Sequence, residues 1–203
     1  MNRPLLEFWF EFASTYSYPA ALRIEELASQ HGCSVRFQPF LLGPIFRAQG
    51  WQDSPFNLFP KKSRYMWRDL ERICAELGLR WQKPSQFPRN GLLAARLVCA
   101  AGDSEWLPEL VRRVYTANFA DDQDIAQPEV LRACLNGLVS DPDALLAAAQ
   151  QDATKARLRQ NTERAAELGI FGAPMCVVGQ ELFWGNDRLE TAARWASRAS
   201  PAE

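Results

Sequence analysis

Two short stretches at opposite ends of the chain carry residue types that could do chemistry together. The first is Ser14-Thr15-Tyr16-Ser17, a polar turn between an aromatic run and an amphipathic stretch. At a helix N-terminus free backbone N–H groups and the macrodipole favour an anion, and a serine hydroxyl there can donate to a thiolate or an oxyanion. The plain alternative is that Ser14 is an ordinary helix N-cap. The second stretch is Gly172-Ala173-Pro174, directly before a strand-like run. A proline opening a strand after a small residue can take the cis form, leaving the N–H and C=O of Ala173 open to pair with a bound peptide as an added strand would. Its plain alternative is a trans turn, so the weight rests on the combination with Ser14.

Other chemistries are excluded by scarcity. The 203 residues include one histidine, His31, which leaves Ser-His-Asp, Cys-His and multi-histidine metal mechanisms without their imidazoles. The five cysteines (Cys33, Cys74, Cys99, Cys134, Cys176) are odd in number and well separated, with no C-x-x-C pair. Neither a disulfide framework nor a metal site is expected, and a reducing, cytoplasmic compartment fits. A net charge of −1 lacks the basic footprint of a nucleic-acid or anionic-membrane binder. No stretch approaches 18 uninterrupted apolar residues, and MNRPLLEFWFEF lacks the build of a signal peptide, so a soluble, unprocessed protein is expected.

The elements that must position the two stretches follow from periodicity. Leu5 to Phe12 reads as a buried strand, with Phe8, Phe10 and Phe12 on one face and Trp9 between two glutamates on the other. A helix carrying Ala20, Ala21, Ile24, Leu27 and Ala28 runs to Gly32, and Ser34 to Phe40 gives a second strand, hence a parallel β-α-β pair. From 41 to 150 the pattern is helix and loop alone. It includes a helix with a stripe of Tyr65, Met66, Leu70, Ile73 and Leu77, and stretches at 91–101, 105–119, 129–138 and 143–150, with Pro128 and Pro142 in first turns. A helix at 152–168 precedes a hairpin, Ala173–Val178 with Glu181–Trp184, and Asp187 caps a last helix at 188–198. That order predicts an α/β fold: a thioredoxin-like domain from 1–40 and 151–203, with a large all-helical insertion, 41–150.

FEFASTYSYPA, SRYMWRDLER and IFGAPMCVVGQELFWGNDRLE, in this order of elements, resemble the 2-hydroxychromene-2-carboxylate isomerases and the similar kappa-class glutathione transferases of the DsbA-like branch of the thioredoxin superfamily. The resemblance runs over essentially the whole chain. It implies that Ser14 is the catalytic serine that hydrogen-bonds the sulfur of bound glutathione, in a place where dithiol relatives carry a C-x-x-C cysteine. It implies that Ala173, before Pro174, offers its backbone to the cysteinyl part, and that Asn186 and Asp187 bind the γ-glutamyl end. Lys62 and Asn57 resemble residues near the glycyl carboxylate or an acidic substrate, with Lys61 as the competing lysine. Thr15 replaces the usual proline and Pro19 stands where a leucine is common.

The function so implied is glutathione-dependent isomerisation of a chromene carboxylate to trans-o-hydroxybenzylidenepyruvate, on a homodimer that takes a small aromatic carboxylate or other electrophile. The alternatives are a kappa-like transferase or peroxidase and a non-catalytic glutathione-binding module. Phe46, Trp51, Phe56, Phe59, Trp67 and Trp81 could wall an apolar acceptor site, with core packing or a subunit interface as the other reading. The acidic run Asp121-Asp122-Gln123-Asp124 reads as a solvated helix-end loop.

Overall fold

The computed structural model describes residues 3–52 and 55–198. Strands β1 (Leu5–Phe10) and β2 (Ser34–Pro39) flank helix α1 (Ser17–Gln30). Helices α2 (Leu42–Ala48), α3 (Pro55–Leu58), α4 (Pro60–Glu76), α5 (Leu92–Ala101), α6 (Leu107–Phe119), α7 (Pro128–Leu135) and α8 (Pro142–Ala149) follow. Helix α9 (Asp152–Glu167), strands β3 (Met175–Val178) and β4 (Glu181–Trp184), a 3-10 turn (Asn186–Arg188) and α10 (Leu189–Arg198) complete the described elements. The sheet order is β2-β1-β3-β4, with β1 and β2 parallel and the other pairs antiparallel. This is the α/β, thioredoxin-like order with helices inserted between its two halves, as expected from the pattern.

Alternation along β1 buries both faces. Leu6, Phe8 and Phe10 point into the larger core, where Phe10 meets Phe12, Phe37 and Tyr115 of α6 at ring-centroid separations of 5.3, 6.0 and 6.1 Å. Trp9 points the other way, into a smaller core with Phe40, Ile45, Ala165, Met175 and Val177. Burial on both sides is what a central strand with a parallel neighbour requires.

The second face also buries a charge. Glu7 accepts two hydrogen bonds from Arg164 Nη2 of α9, both at 2.9 Å, and one from the Trp9 indole N–H at 3.2 Å. The Arg164 guanidinium lies 5.2 Å from the Trp9 ring centre, so one arginine ties α9 to β1 by charge and by stacking.

The structure departs from the periodicity in three places. On α4 the buried residues are Met66, Leu70 and Cys74, an i, i+4, i+8 row, whereas Tyr65 and Leu77 are exposed and Tyr65 faces Arg72. Helix α7 stops at Leu135, before a turn in which Gly137 adopts φ 76°. Asp187 does not cap the last helix; it lies inside the 3-10 turn, and α10 begins only at Leu189. Pro19, by contrast, falls in the first turn of α1, where a missing N–H costs no helical hydrogen bond.

Arg164→Ala leaves the Glu7 carboxylate with a 3.8 Å contact to Arg36 and the indole N–H. Because Arg164 is half exposed, the expected loss is about 1–3 kcal/mol rather than the full cost of a stranded buried charge. Denaturant unfolding measures it, with Arg164→Lys recovering part; an unchanged midpoint would show that the clamp contributes nothing.

Candidate active site

Antiparallel pairing sets the site. Trp9 of β1 lies opposite Met175 of β3, so the chain leaving β1 and the chain entering β3 meet at one end of the sheet. There the Ser14 hydroxyl donates to the Ala173 carbonyl at 2.9 Å, joining residues 159 apart in sequence. The Ala173–Pro174 peptide is cis, and Pro174 is buried behind the contact. Among the described residues the Ala173 N–H has no hydrogen-bond partner. Ser14 is not the cap of α1, because that helix begins at Ser17 after Tyr16. It sits instead at the end of a tight turn whose Ser14 N–H donates to the Glu11 carbonyl at 2.9 Å.

Above this contact opens a cleft of about 1080 Å³, walled by Glu11, residues 13–16, α2 and the loop after it, α4, residues 87–92, 171–173 and 184–187. It gathers Ser14, Lys62, Ala173, Asn186 and Asp187 from the sequence-based set. Lys61 does not line it, and the side chain of Asn57 lies outside the described ones. Lys62 Nζ lies 4.7 Å from the Phe59 ring centre. Asn186 is buried and its Oδ1 accepts from Arg23 at 3.3 Å, so its side chain braces the turn. Asp187 is exposed at the rim, and its Oδ1 sits 2.6 Å from where a side chain on Gly185 would begin, at a φ of 107° that suits glycine.

Two hydrogen bonds fasten the Ser14 turn to α4. Thr15 Oγ1 donates to Met66 Sδ at 3.1 Å, and Tyr16 donates to Asp69 Oδ2 at 3.0 Å. The residue that replaces proline is thus buried and bonded. Burial and the Asp69 carboxylate both push the Tyr16 phenol above its ordinary range.

The acidic run is the helix-end loop after α6, with Asp121 and Gln123 exposed, but Asp122 is drawn into the cleft wall. Arg89, almost wholly buried, donates to the Asn118 carbonyl at 2.9 Å and to the Asp122 carbonyl at 3.0 Å, and pairs with the Asp122 carboxylate. Asp122 also accepts from the Ser85 N–H at 2.8 Å, and Asn118 Nδ2 reaches the Phe12 carbonyl at 3.0 Å. These bonds hold the 87–92 wall against the Ser14 turn.

The aromatic set divides, with Phe59 exposed outside the cleft wall and edge-on to Trp51 at 6.4 Å. Phe46 and Trp51 stack at 6.0 Å on the cleft wall near Phe56, whereas Trp67 and Trp81 pack with Phe87, Phe119 and Tyr18 against the larger core.

Sequence reasoning missed Arg47 and Glu11, both in the cleft wall. The only signal for Glu11 was an acidic residue between Phe10 and Phe12 at the end of an apolar strand. Burial raises its carboxyl to about 7, against a smaller opposing effect of the Ala13 N–H. The five cysteines are buried, unpaired and away from the cleft, and burial raises the thiols of Cys74, Cys99 and Cys134 to about 11.

A family model described as the DSBA-like thioredoxin domain matches residues 5–195. A 2-hydroxychromene-2-carboxylate isomerase of Sphingobium xenophagum is 29% identical over 185 residues, covering 91% of this chain and 94% of the relative. Glutathione S-transferase kappa 1 of Caenorhabditis elegans is 26% identical, covering 98% of this chain and 93% of its own. A solved structure of a 2-hydroxychromene-2-carboxylate isomerase superposes with a TM-score of 0.85 at 26% identity, covering 96% of this chain and 95% of that one. Among the described residues no helix is long and apolar enough to cross a membrane.

The raised Glu11 carboxyl makes stability depend on pH in a stated direction. The folded chain holds this proton more tightly than the unfolded chain does, so stability contributed by Glu11 falls as pH rises from about 4.5 to about 7. Relative to the parent, Glu11→Gln is expected to gain about 3 kcal/mol between pH 4 and pH 8 in denaturant unfolding. A difference that stays constant across that range would contradict the assignment.

Proposed function

We propose, from the premise that this chain belongs to the DSBA-like thioredoxin domain family, that it is a glutathione-dependent isomerase of the 2-hydroxychromene-2-carboxylate type in which Ser14 steadies the sulfur. The observation that carries this reading is the Ser14–Ala173 contact, where a hydroxyl and a strand-entry backbone meet on the floor of a cleft with room for a tripeptide and a bicyclic electrophile together. Relatives named as 2-hydroxychromene-2-carboxylate isomerases and kappa glutathione transferases support it.

Bound glutathione supplies the nucleophilic thiolate. Ser14 has a single hydroxyl proton, which the Ala173 carbonyl holds in this structure. Turned toward the sulfur, that O–H favours thiolate over thiol, and α1, with no acidic residue in its first turn, leaves its positive end uncompensated. The same rotation frees the Ala173 carbonyl, which together with the unpartnered Ala173 N–H offers a peptide backbone one acceptor and one donor. Asp187 at the rim is suited to an ammonium group, and Lys62 and Arg47, also on the cleft wall, are suited to carboxylates. Phe46, Trp51 and Phe56 give the acceptor an apolar wall.

The proposal extends to a homodimer in a reducing, cytoplasmic compartment, and to a division at 1–40 and 151–203 against 41–150, with the cleft where the two parts meet. A kappa-like transferase or peroxidase is the second reading, favoured by the size of the cleft and its open apolar wall. A binding module without chemistry is less well supported, since Thr15 and Pro19 are both accommodated without displacing Ser14.

Ser14→Ala is expected to lower kcat/KM by two or more orders of magnitude with little loss of glutathione binding, because the hydroxyl acts on the ionised sulfur. Parallel assays on the chromene carboxylate, a chlorodinitrobenzene-type acceptor and a hydroperoxide separate isomerase from transferase and peroxidase. Inactivity of the parent protein on all three, with glutathione bound, would leave the binding module.

A further inference from the structure

Holding a thiolate leaves its proton to be placed, and the chain offers few groups that could take it. His31 closes the far end of α1, and the cysteines lie away from the cleft. Ser14 can donate a hydrogen bond, but a neutral alcohol is no proton sink. Among the described residues the carboxylates on the cleft wall are Glu11, Asp69 and Asp187. Asp69 accepts from Tyr16 at 3.0 Å and from Arg72 at 3.0 Å. Asp187 is exposed and lies 3.5 Å from Arg188. Glu11 differs from both: it has no ion-pair partner among the described residues, and it opens the same four-residue turn that ends in Ser14.

We propose that Glu11 is the proton acceptor of this site, taking the thiol proton of the sulfur that Ser14 steadies and returning it when the thiol departs. The inference rests on the glutathione reading above. The S–H bond breaks, an O–H bond forms on a Glu11 carboxylate oxygen, and the electron pair stays on sulfur, where the Ser14 hydroxyl donates to it. The reverse transfer restores both groups, and no oxidant or reductant enters.

The surroundings suit a shared proton. From α6 the Tyr115 hydroxyl donates to the Glu11 backbone carbonyl at 3.0 Å, and burial holds that phenol neutral. On the turn itself the Ala13 N–H faces the carboxylate. The cations of the cleft, Arg47 on α2, Lys62 on α4 and Arg89 in the 87–92 wall, form no ion pair with it, and Arg89 is held by Asp122. Burial therefore sets the carboxyl near neutrality, where proton exchange with a thiol is close to balanced. A carboxylate and a thiolate side by side resist double ionisation, which keeps one proton on the pair.

The test counts protons as well as rates. Glutathione binding to the parent protein is followed by thiolate ultraviolet absorbance and by calorimetry in buffers of different ionisation heat. Near pH 8 Glu11 is ionised, and the proposal expects thiolate to form with almost no proton released to solvent. One proton released per thiolate formed would overturn it, whether or not any variant folds. Glu11→Gln is expected to release about one proton to solvent for each thiolate formed, to lower kcat/KM toward a chlorodinitrobenzene-type acceptor about 10–100-fold, and to remove the rise of kcat/KM with pH through about 7. Glu11→Asp should restore part of each, and glutathione affinity should change by no more than a few-fold. Unchanged proton release and an unchanged pH profile in folded Glu11→Gln would also overturn the proposal. Failure of the parent protein to bind glutathione would instead remove the reading on which it rests.

Discussion

The hydrogen bond from the Ser14 hydroxyl to the Ala173 carbonyl closes the floor of the cleft, and the rest of the molecule is arranged so that it can form. Its partners come from the two ends of the chain. They meet because β1 and β3 are antiparallel neighbours, so the C-terminal end of one lies beside the N-terminal end of the other. That pairing needs β1 in the centre of the sheet, which its two buried faces allow, and needs α9 to return the chain to the sheet, where Arg164 fixes it on Glu7. Around the floor, Thr15 and Tyr16 pin the turn to α4, and the Arg89–Asp122–Asn118 network pins the opposite wall. A hydroxyl held in this way is oriented before any ligand arrives, and it exchanges one acceptor for another by rotation about a single bond.

What could be read from the sequence was the part governed by short-range pattern. The alternation Leu6, Phe8, Phe10 around Trp9 marks a central strand, Gly169 ends α9, and Gly179 turns the hairpin. The pair Ser14 and Ala173-Pro174 was legible because strand order alone brings the two together. The rest depended on tertiary context. Tyr65 and Leu77 fit a helical stripe, yet the face of α4 that is buried is the one that meets Thr15, and it carries Met66, Leu70 and Cys74. Asp187 has the composition of a cap, but Gly185 starts a 3-10 turn first and leaves the carboxylate at the rim. Asp122 looked solvated because its partner, Arg89, lies 33 residues earlier in a proline-rich loop. Glu11 escaped notice because the pattern reads it with Glu7 as a flank of Trp9 on a buried strand, whereas β1 ends at Phe10 and Glu11 opens the turn that lines the cleft.

The electrostatics of the cleft explain the sparse chemistry of the composition. Every cysteine is buried and away from the cleft, with burial raising its thiol, which accords with the proposed reading in which the nucleophilic sulfur arrives with glutathione. With no imidazole in the cleft, that reading assigns the ionisation of the sulfur to a hydroxyl, a helix end and a carboxyl whose basicity burial has raised toward neutrality. The charges lining the cleft, Asp187 with Lys62 and Arg47, match a zwitterionic peptide better than a polyanion. A net charge near zero is consistent with binding by local complementarity rather than by a long-range field.

The central claim is that the Ser14 hydroxyl gives up the Ala173 carbonyl to hold a ligand sulfur. A crystal structure with glutathione bound tests it most directly. The account predicts the sulfur within hydrogen-bond distance of Ser14 Oγ, the Ser14–Ala173 bond opened, and the N–H and C=O of Ala173 both engaged by the ligand backbone. Glutathione bound with its sulfur elsewhere, or bound while the Ser14 hydroxyl still donates to Ala173, would contradict it.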